Sequence, residues 1–341
     1  MRVLAVNAGS SSLKLNVLED GRPASPQRLL RTARGGPDLH ALADFVDSAG
    51  ALDAAGHRLV HGGTRFRESV RVDDEVLSAL QEADDLAPLH NRHGLAALDR
   101  VRAARPDLPS VACFDTAFHT DLPEAAALYA LPRRWLERFG IRRYGFHGLS
   151  HSYACERAAE LLERPLADLR TVTCHLGAGA SLAAVKGGRS VDTTMGFTPN
   201  EGLVMATRSG SVDPGALLWL ARQEGMSPGA MEADLSRRSG LLGLSGTSGE
   251  MRAVIEAADG GDPNARTALE VYLHRLRGGV AAMVAAMGGL DVLLFTGGVG
   301  ENSAQIRQEC CRGLGFLGIE LDEAANRAAK SEDADLTADG G

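Results

Sequence analysis

Three short turns of small residues have the composition to hold a phosphate. Gly9-Ser10-Ser11-Ser12, Gly177-Ala178-Gly179 and Gly297-Gly298-Val299-Gly300 each follow a stretch of strand-forming residues. Turns of this kind let backbone N–H groups approach anionic oxygens and form concave anion sites. The third leads into a predicted helix, whose N-terminus adds a favourable field. None is a Walker A loop, because G-x-x-x-x-G-K-[ST] is absent, and no G-x-G-x-x-G follows the first strand. Any one alone reads more readily as an ordinary hairpin; all three together point to a bound nucleotide.

The charged residues are read one by one. Arg58 interrupts an otherwise apolar stretch between His57 and Leu59-Val60, an unfavourable place without an anionic partner. The alternative is a surface arginine on an edge strand. Arg208 lies in a Thr-Arg-Ser-Gly turn, either solvated or turned towards an anion. His147 and His151 have the i, i+4 spacing of a zinc pair, but no H-E-x-x-H glutamate accompanies them. Asp115 follows a short apolar run; the alternative is a turn or N-cap aspartate before Thr116.

The 341 residues exceed a single comfortable core, so two domains are expected. A net charge of −8 argues against a nucleic-acid or anionic-membrane surface, so a site for anions must gather its positive charge locally. No apolar run is long enough to span a bilayer. The N-terminal Met-Arg-Val-Leu-Ala-Val reads as a first strand rather than a signal peptide. The odd set Cys113, Cys155, Cys174, Cys310 and Cys311 contains no C-x-x-C, as expected for reduced thiols of a cytoplasmic protein.

The elements that must position these residues follow from the pattern. Strands are predicted at 2–7, 13–18, 57–61 and 111–114, the last delivering Asp115 at its end. Helices are predicted at 39–49 and 73–83, and a helix-rich stretch runs from 123 to 162. A second strand–turn–strand unit spans 171–185. Asp262-Pro263 provides an N-cap and first-turn proline. Leu269, Tyr272, Leu276, Val280, Met283 and Met287 then make one helical apolar stripe, read as core, before Gly288-Gly289. A strand at 291–295 runs into the third turn. The first and second hairpins share a strand, a polar residue, a small-residue turn and a strand, which suggests a duplicated architecture.

The segments NAGSSSLK (7–14), HRLVHGG (57–63), APLHN (87–91), FDTAFH (114–119), YGFHGLSH (144–151), CHLGAG (174–179), DTTMGFTPNEGLVMATRSGSVDP (192–214) and FTGGVGEN (295–302) resemble, in order, the motifs of the acetate kinases. The resemblance implies an α/β fold: duplicated ribonuclease-H-like domains of the actin, hexokinase and sugar-kinase superfold, with an interdomain ATP cleft. The N-terminal domain would be 1–118 and the C-terminal nucleotide-binding domain 119–341. The implied reaction is reversible transfer of the ATP γ-phosphoryl to acetate with Mg2+, in a homodimer.

Carried over by position, the resemblance places Asn7 near magnesium and Lys14 near the nucleotide phosphates. Asp115, His147 and Arg208 take the catalytic places, and Arg58 is the second active-site arginine. Val60, Leu89, Phe146 and Pro199 take the pocket for the acetate methyl, with His90 beside it. His175, Leu176, Gly177, Ala178 and Gly179 fall on one ATP-contacting stretch, Glu250, Met251 and Arg252 on another, and Gly298, Val299, Gly300, Glu301 and Asn302 on a third. Two arginines suit in-line phosphoryl transfer, because a planar guanidinium pairs bidentately with carboxylate or phosphate and keeps its charge. For His147, hydrogen-bond donation to the moving phosphoryl is the better reading. A carboxylate substrate is ionised at neutral pH and needs no general base. Asp115 is therefore read as an organiser of magnesium water or of an arginine.

Ala178 stands where the family has asparagine, and Glu250 where it has aspartate. The stretch 331–341 holds one large apolar side chain and has no resemblance to the family's final segment, so the chain reads as truncated at its C-terminus. Propionate or butyrate kinase activity is the nearest alternative, and a non-catalytic ATP-binding protein of the same superfold is the alternative of another class. If Val60 lines the acyl pocket, Val60→Ala raises the propionate-to-acetate ratio of kcat/KM by several-fold, within the roughly 10-fold that one methylene allows. An unchanged ratio excludes Val60 from the pocket.

Overall fold

The computed structural model describes residues 1–9, 12–32, 36–82, 91–329 and 332–338. Two compact units emerge: Met1–Thr120 with Phe146–Leu149, and Asp121–Gly145 with Ser150–Gly341. The sequence-based division at 118/119 left Phe146–Leu149 with the second domain. Tertiary hydrogen bonds hold them in the first: Gly148 N–H donates to the Asp115 carbonyl at 2.8 Å, and His119 Nε2 lies 3.1 Å from the Phe146 carbonyl.

In the first unit, β1 (Arg2–Ala8) and β2 (Leu13–Glu19) form an antiparallel hairpin in which Asn7 faces Lys14. The short strands β3 (Arg22–Pro23) and β4 (Arg28–Leu30) both pair with β2. On its other side β1 runs parallel to β5 (Ala54–Leu59). Beyond β5, the two-residue β6 (Val70–Arg71) lies antiparallel to β7 (Ser110–Phe114), and β7 runs parallel to β5. Strand β5 starts earlier than its pattern suggests, because Ala54 and Gly56 carry too little side chain to signal a strand yet fit between β1 and β7. Helix Leu39–Ser48 is capped by Asp38, whose carboxylate accepts from His40 and Ala41 N–H, and buries Leu42 and Val46 one turn apart.

In the second unit, β8 (Arg170–Leu176), β9 (Ala180–Lys186) and β10 (Arg189–Thr193) form an antiparallel meander, and β11 (Val292–Thr296) pairs parallel to β8. Both sheets thus begin with a hairpin whose first strand then accepts a parallel neighbour from later in the chain. Helix Pro263–Met287 starts at the Asp262 cap and ends at Gly288 in the left-handed region, and its expected stripe is buried. The third glycine-rich turn departs from expectation. Gly297 onwards is already helix Gly297–Asn302, entered directly from β11.

On the core-facing side of β5, His57 is 1% exposed, and neither of its ring nitrogens has a hydrogen-bond partner among the described residues. His61 and His119 are equally buried, and burial lowers all three pKa values from 6.5 to about 4. Each ring stays neutral when folded but takes a proton on unfolding below pH 6.5. The stability they support is therefore complete above pH 6.5 and is lost as pH falls towards 4, by about 2 kcal/mol per ring at pH 5. Melting of the first unit is expected to drop steeply between pH 7 and pH 5, and His57→Met to flatten part of that slope. Equal melting temperatures at the two pH values would contradict this.

Candidate active site

The first unit builds a charged site on adjacent parallel strands. Along β5, Ala55, His57 and Leu59 are buried, while Arg58 points to the opposite face. Arg58 pairs across the sheet with Cys113, and Asp115 follows two residues later, its N–H donating to Leu59 carbonyl. The guanidinium grips the Asp115 carboxylate from two nitrogens: Nε at 3.0 and 3.2 Å and Nη2 at 2.5 Å. Nη1 donates to Asn7 Oδ1 at 3.0 Å. The Asp115 side chain is 3% exposed and that of Arg58 28%, so the pair is open to solvent from the arginine side only. The Asp115 charge, opposed by burial, pushes the Arg58 pKa up. The Asp115 carboxylate thus has the Arg58 guanidinium as its partner.

Neutral residues frame this pair. Asn91 is 1% exposed, and its Oδ1 accepts from both Val60 and His61 N–H at 3.0 Å while its Nδ2 donates to His61 carbonyl. Thr116 Oγ1 accepts from Gly62 N–H at 3.1 Å. Phe146 is 1% exposed and meets the His61 ring edge-on at 5.6 Å. His147 follows with φ +57°, an uncommon conformation for a residue with a side chain, which concentrates at functional positions. Helix Gly148–Leu161 then begins against the Asp115 carbonyl, where a Cβ on Gly148 would collide. His151 does not join His147 in a zinc pair. It is fully buried, hydrogen-bonded to Thr173 Oγ1 at 2.6 Å and Ser181 Oγ at 2.8 Å. Leu89 and His90 lie outside the described residues, as do Ser10 and Ser11 of the first turn. The rest of that turn is closed by Gly9 N–H on the Ser12 carbonyl, and Lys14 is exposed beyond it.

The second unit gathers the other predicted residues. His175, the penultimate residue of β8, lies beside Thr296 of β11, and its Nδ1 is 2.8 Å from Ser150 Oγ. The turn after it is closed by Gly177 N–H on the Gly179 carbonyl. Ala206 N–H donates to the Ala178 carbonyl, which ties the loop carrying Arg208 to this turn. Arg208 Nη1 donates to the Pro199 carbonyl at 3.1 Å, and Pro199 is buried. Glu250 occupies the N-cap position of helix Met251–Asp259 without a side-chain capping hydrogen bond, with Met251 buried and Arg252 exposed. In helix Gly297–Asn302, Glu301 accepts from Gly297 N–H at 3.1 Å, and Asn302 donates to the Gly298 carbonyl. The second turn, the Arg208 loop and the third turn therefore meet at one end of the β8–β11 pair. Leu176 is wholly buried there and contributes backbone.

These two sets of contacts fit an ATP-dependent kinase of carboxylates, and the known relatives agree. The acetokinase family profile matches residues 38–339. The chain belongs to the acetokinase family. It is 46% identical to the acetate kinase of Microcystis aeruginosa, over 99% of this chain and 82% of that one. It is 45% identical to the propionate kinase of Citrobacter rodentium, over 96% and 88%. The solved Porphyromonas gingivalis acetate kinase superposes with a TM-score of 0.89 at 37% identity, covering 99% of this chain and 93% of its own. The acetokinase chain thus has the expected α/β fold of two ribonuclease-H-like domains, and it is a phosphotransferase.

Among the described residues no three His, Cys, Asp or Glu side chains gather as a metal site. Asn7 Oδ1 and both Asp115 oxygens are turned to Arg58. These residues do not by themselves form a magnesium cage. The sequence reading also passed over Asn91, His61, Thr116 and His119. All four lie inside the quoted motifs, but they act as neutral clamps on backbone, which neither a charge nor a periodic pattern marks in the sequence.

Because Arg58 keeps its charge under all conditions, removing Asp115 leaves a half-buried cation without its counter-ion. Asp115→Ala is expected to destabilise the first unit by about 1–3 kcal/mol and abolish most activity, whereas Asp115→Asn keeps an acceptor and part of both. Neither the parent nor Asp115→Asn should show a kcat ionisation near pH 7. One present in the parent and lost in Asp115→Asn would make Asp115 a general base.

Proposed function

We propose that this acetokinase transfers the γ-phosphoryl of ATP to acetate, reversibly and in line, giving acetyl phosphate and ADP. The observation that carries the reading is the Arg58 guanidinium. Three of its five N–H groups are taken by Asp115 and Asn7; Val60 follows two residues later in the chain, and the buried Phe146 packs on the ring of His61, its neighbour in sequence. Two donors beside a small apolar wall match a short carboxylate with its alkyl tail. Arg58 orients the acetate, whose ionised oxygen attacks the γ-phosphorus without a base as the bond to the β-phosphate oxygen breaks. His147 donates to the moving phosphoryl, and Arg208 offsets the charge on its equatorial oxygens. Lys14, the 175–179 turn, 250–252 and 298–302 hold the nucleotide. Magnesium, when bound with ATP, would supply counter-charge for the phosphates.

The two units carry the acyl and nucleotide functions respectively. A cytoplasmic homodimer is part of the same proposal. It is supported by five free cysteines, and by helix Pro214–Glu224, which buries none of its residues and exposes Leu218, Trp219 and Leu220. No helix among the described residues is long and apolar enough to cross a membrane. The propionate kinases among the relatives favour propionate as the second substrate.

A hydroxamate assay with ATP, magnesium and acetate, propionate or butyrate tests the reading. Acetate is expected to give the highest kcat/KM. Arg208→Ala should lower kcat by about 10²–10³-fold with little change in nucleotide affinity, and Arg208→Lys should recover little of it. No hydroxamate from any acid would refute the reading, and normal kcat in Arg208→Ala would remove Arg208 from the mechanism.

A further inference from the structure

A second polar network lies beside the Arg208 loop. Glu201 receives two donors, the Tyr129 hydroxyl on Oε2 and Arg143 Nη2 on Oε1 at 2.8 Å. Arg143 spends its other terminal nitrogen on two backbone carbonyls, Thr194 at 3.0 Å and Met195 at 3.1 Å. Its guanidinium carbon lies 5.6 Å from the Tyr129 ring centroid, a cation–π contact. The Tyr129 oxygen in turn accepts from Phe197 N–H at 2.8 Å. Burial first, then Glu201, pushes the Tyr129 pKa well up, so the hydroxyl remains a donor. Gly196 passes so close that a Cβ there would collide with the Glu201 carboxylate and the Tyr129 hydroxyl. The Arg143 side chain is 17% exposed and that of Glu201 32%, so the ion pair is largely shielded.

The network therefore clamps the backbone at 194, 195, 197 and 201. Pro199 lies between the last two clamped points, and its carbonyl accepts from Arg208 Nη1. The same loop is closed from the far side by Gly202 N–H on Ser211 Oγ and Ser211 N–H on the Gly202 carbonyl. We propose that Glu201, gripped by Tyr129 and Arg143, is a positioning residue that sets Arg208 through the Pro199 carbonyl. The inference rests on the reading of Arg208 as the phosphoryl-stabilising arginine. A misplacement of about 1 Å is enough to lose on the order of 10²-fold in rate, and a charge-assisted clamp that engages both carboxylate oxygens from two residues is the device that prevents one. Arg143→Lys cannot replace the guanidinium, because one ammonium does not span a carboxylate and two carbonyls.

The test compares Glu201→Gln and the milder Tyr129→Phe with the parent chain. Glu201→Gln is expected to lower kcat by about 10–100-fold with the KM for ATP within about 2-fold, and Arg143→Lys to resemble it. In an Arg208→Ala background, Glu201→Gln should cost less than about 3-fold more, since both act on one group. Hydrogen exchange of the resting protein should speed up about 10-fold across 194–208 in Glu201→Gln and not on β8 or β9. A purely structural role gives multiplicative losses and a global fall in melting temperature. That outcome, or unchanged kcat with slow exchange at 194–208 in both variants, overturns the proposal. A parent enzyme without turnover refutes the acetate reading instead, because the exchange measurement does not use the reaction.

Discussion

A guanidinium on the side of a sheet must be neutralised by something the fold brings to it, and in the first unit that something is Asp115. The pair joins β5 to the end of β7, and Asn7 of β1 completes it, so three neighbouring strands hold a single charge. Because burial is one-sided, with Asp115 enclosed and Arg58 partly open, the cation keeps donors for a second anion. A lysine would share out its donors without the planar geometry that grips one carboxylate and leaves room for another. The helix that follows His147 starts on the same aspartate's carbonyl, so the electrostatic pair and the helix start are set by one residue.

The second unit solves a different problem, that of holding long polar loops close to backbone without a sheet to support them. Its solution is a set of clamps from side chain to main chain. Arg143 reaches Thr194 and Met195, Tyr129 reaches Phe197, and Arg208 reaches Pro199. Such networks gain strength from low exposure and lose it when a member is left unsatisfied. The loop 194–211 owes its shape to them, and helix or strand propensity contributes little there.

The buried histidines show the cost of the arrangement in the first unit. His57, His61 and His119 keep neutral rings in a core that excludes charge. His61 and His119 are engaged with the backbone around the site, through Gly63 N–H and the Phe146 carbonyl. Imidazole is used there as a neutral polar spacer, and the acid sensitivity follows from the same burial that makes it useful.

Much of this protein is local and therefore written in order along the chain. Hairpin 2–19, the Asp262-capped helix with its apolar stripe, the strand into the third turn and the small-residue turns all arise from neighbours in sequence, where periodicity and capping act. The need of Arg58 for an anion was also legible, since no strand tolerates that charge unpaired. Its partner was not, because Asp115 lies 57 residues away and only the β5–β7 pairing brings the two together. The same holds for Phe146–Leu149, which joins the first unit through two hydrogen bonds that leave no periodic mark, and for Glu201, whose partners Tyr129 and Arg143 lie 72 and 58 residues away. Sequence determined which groups carry charge and where the chain turns. Tertiary structure alone decided which of those charges meet, because pairing depends on strand register and loop closure, and both are settled by the packing of distant segments.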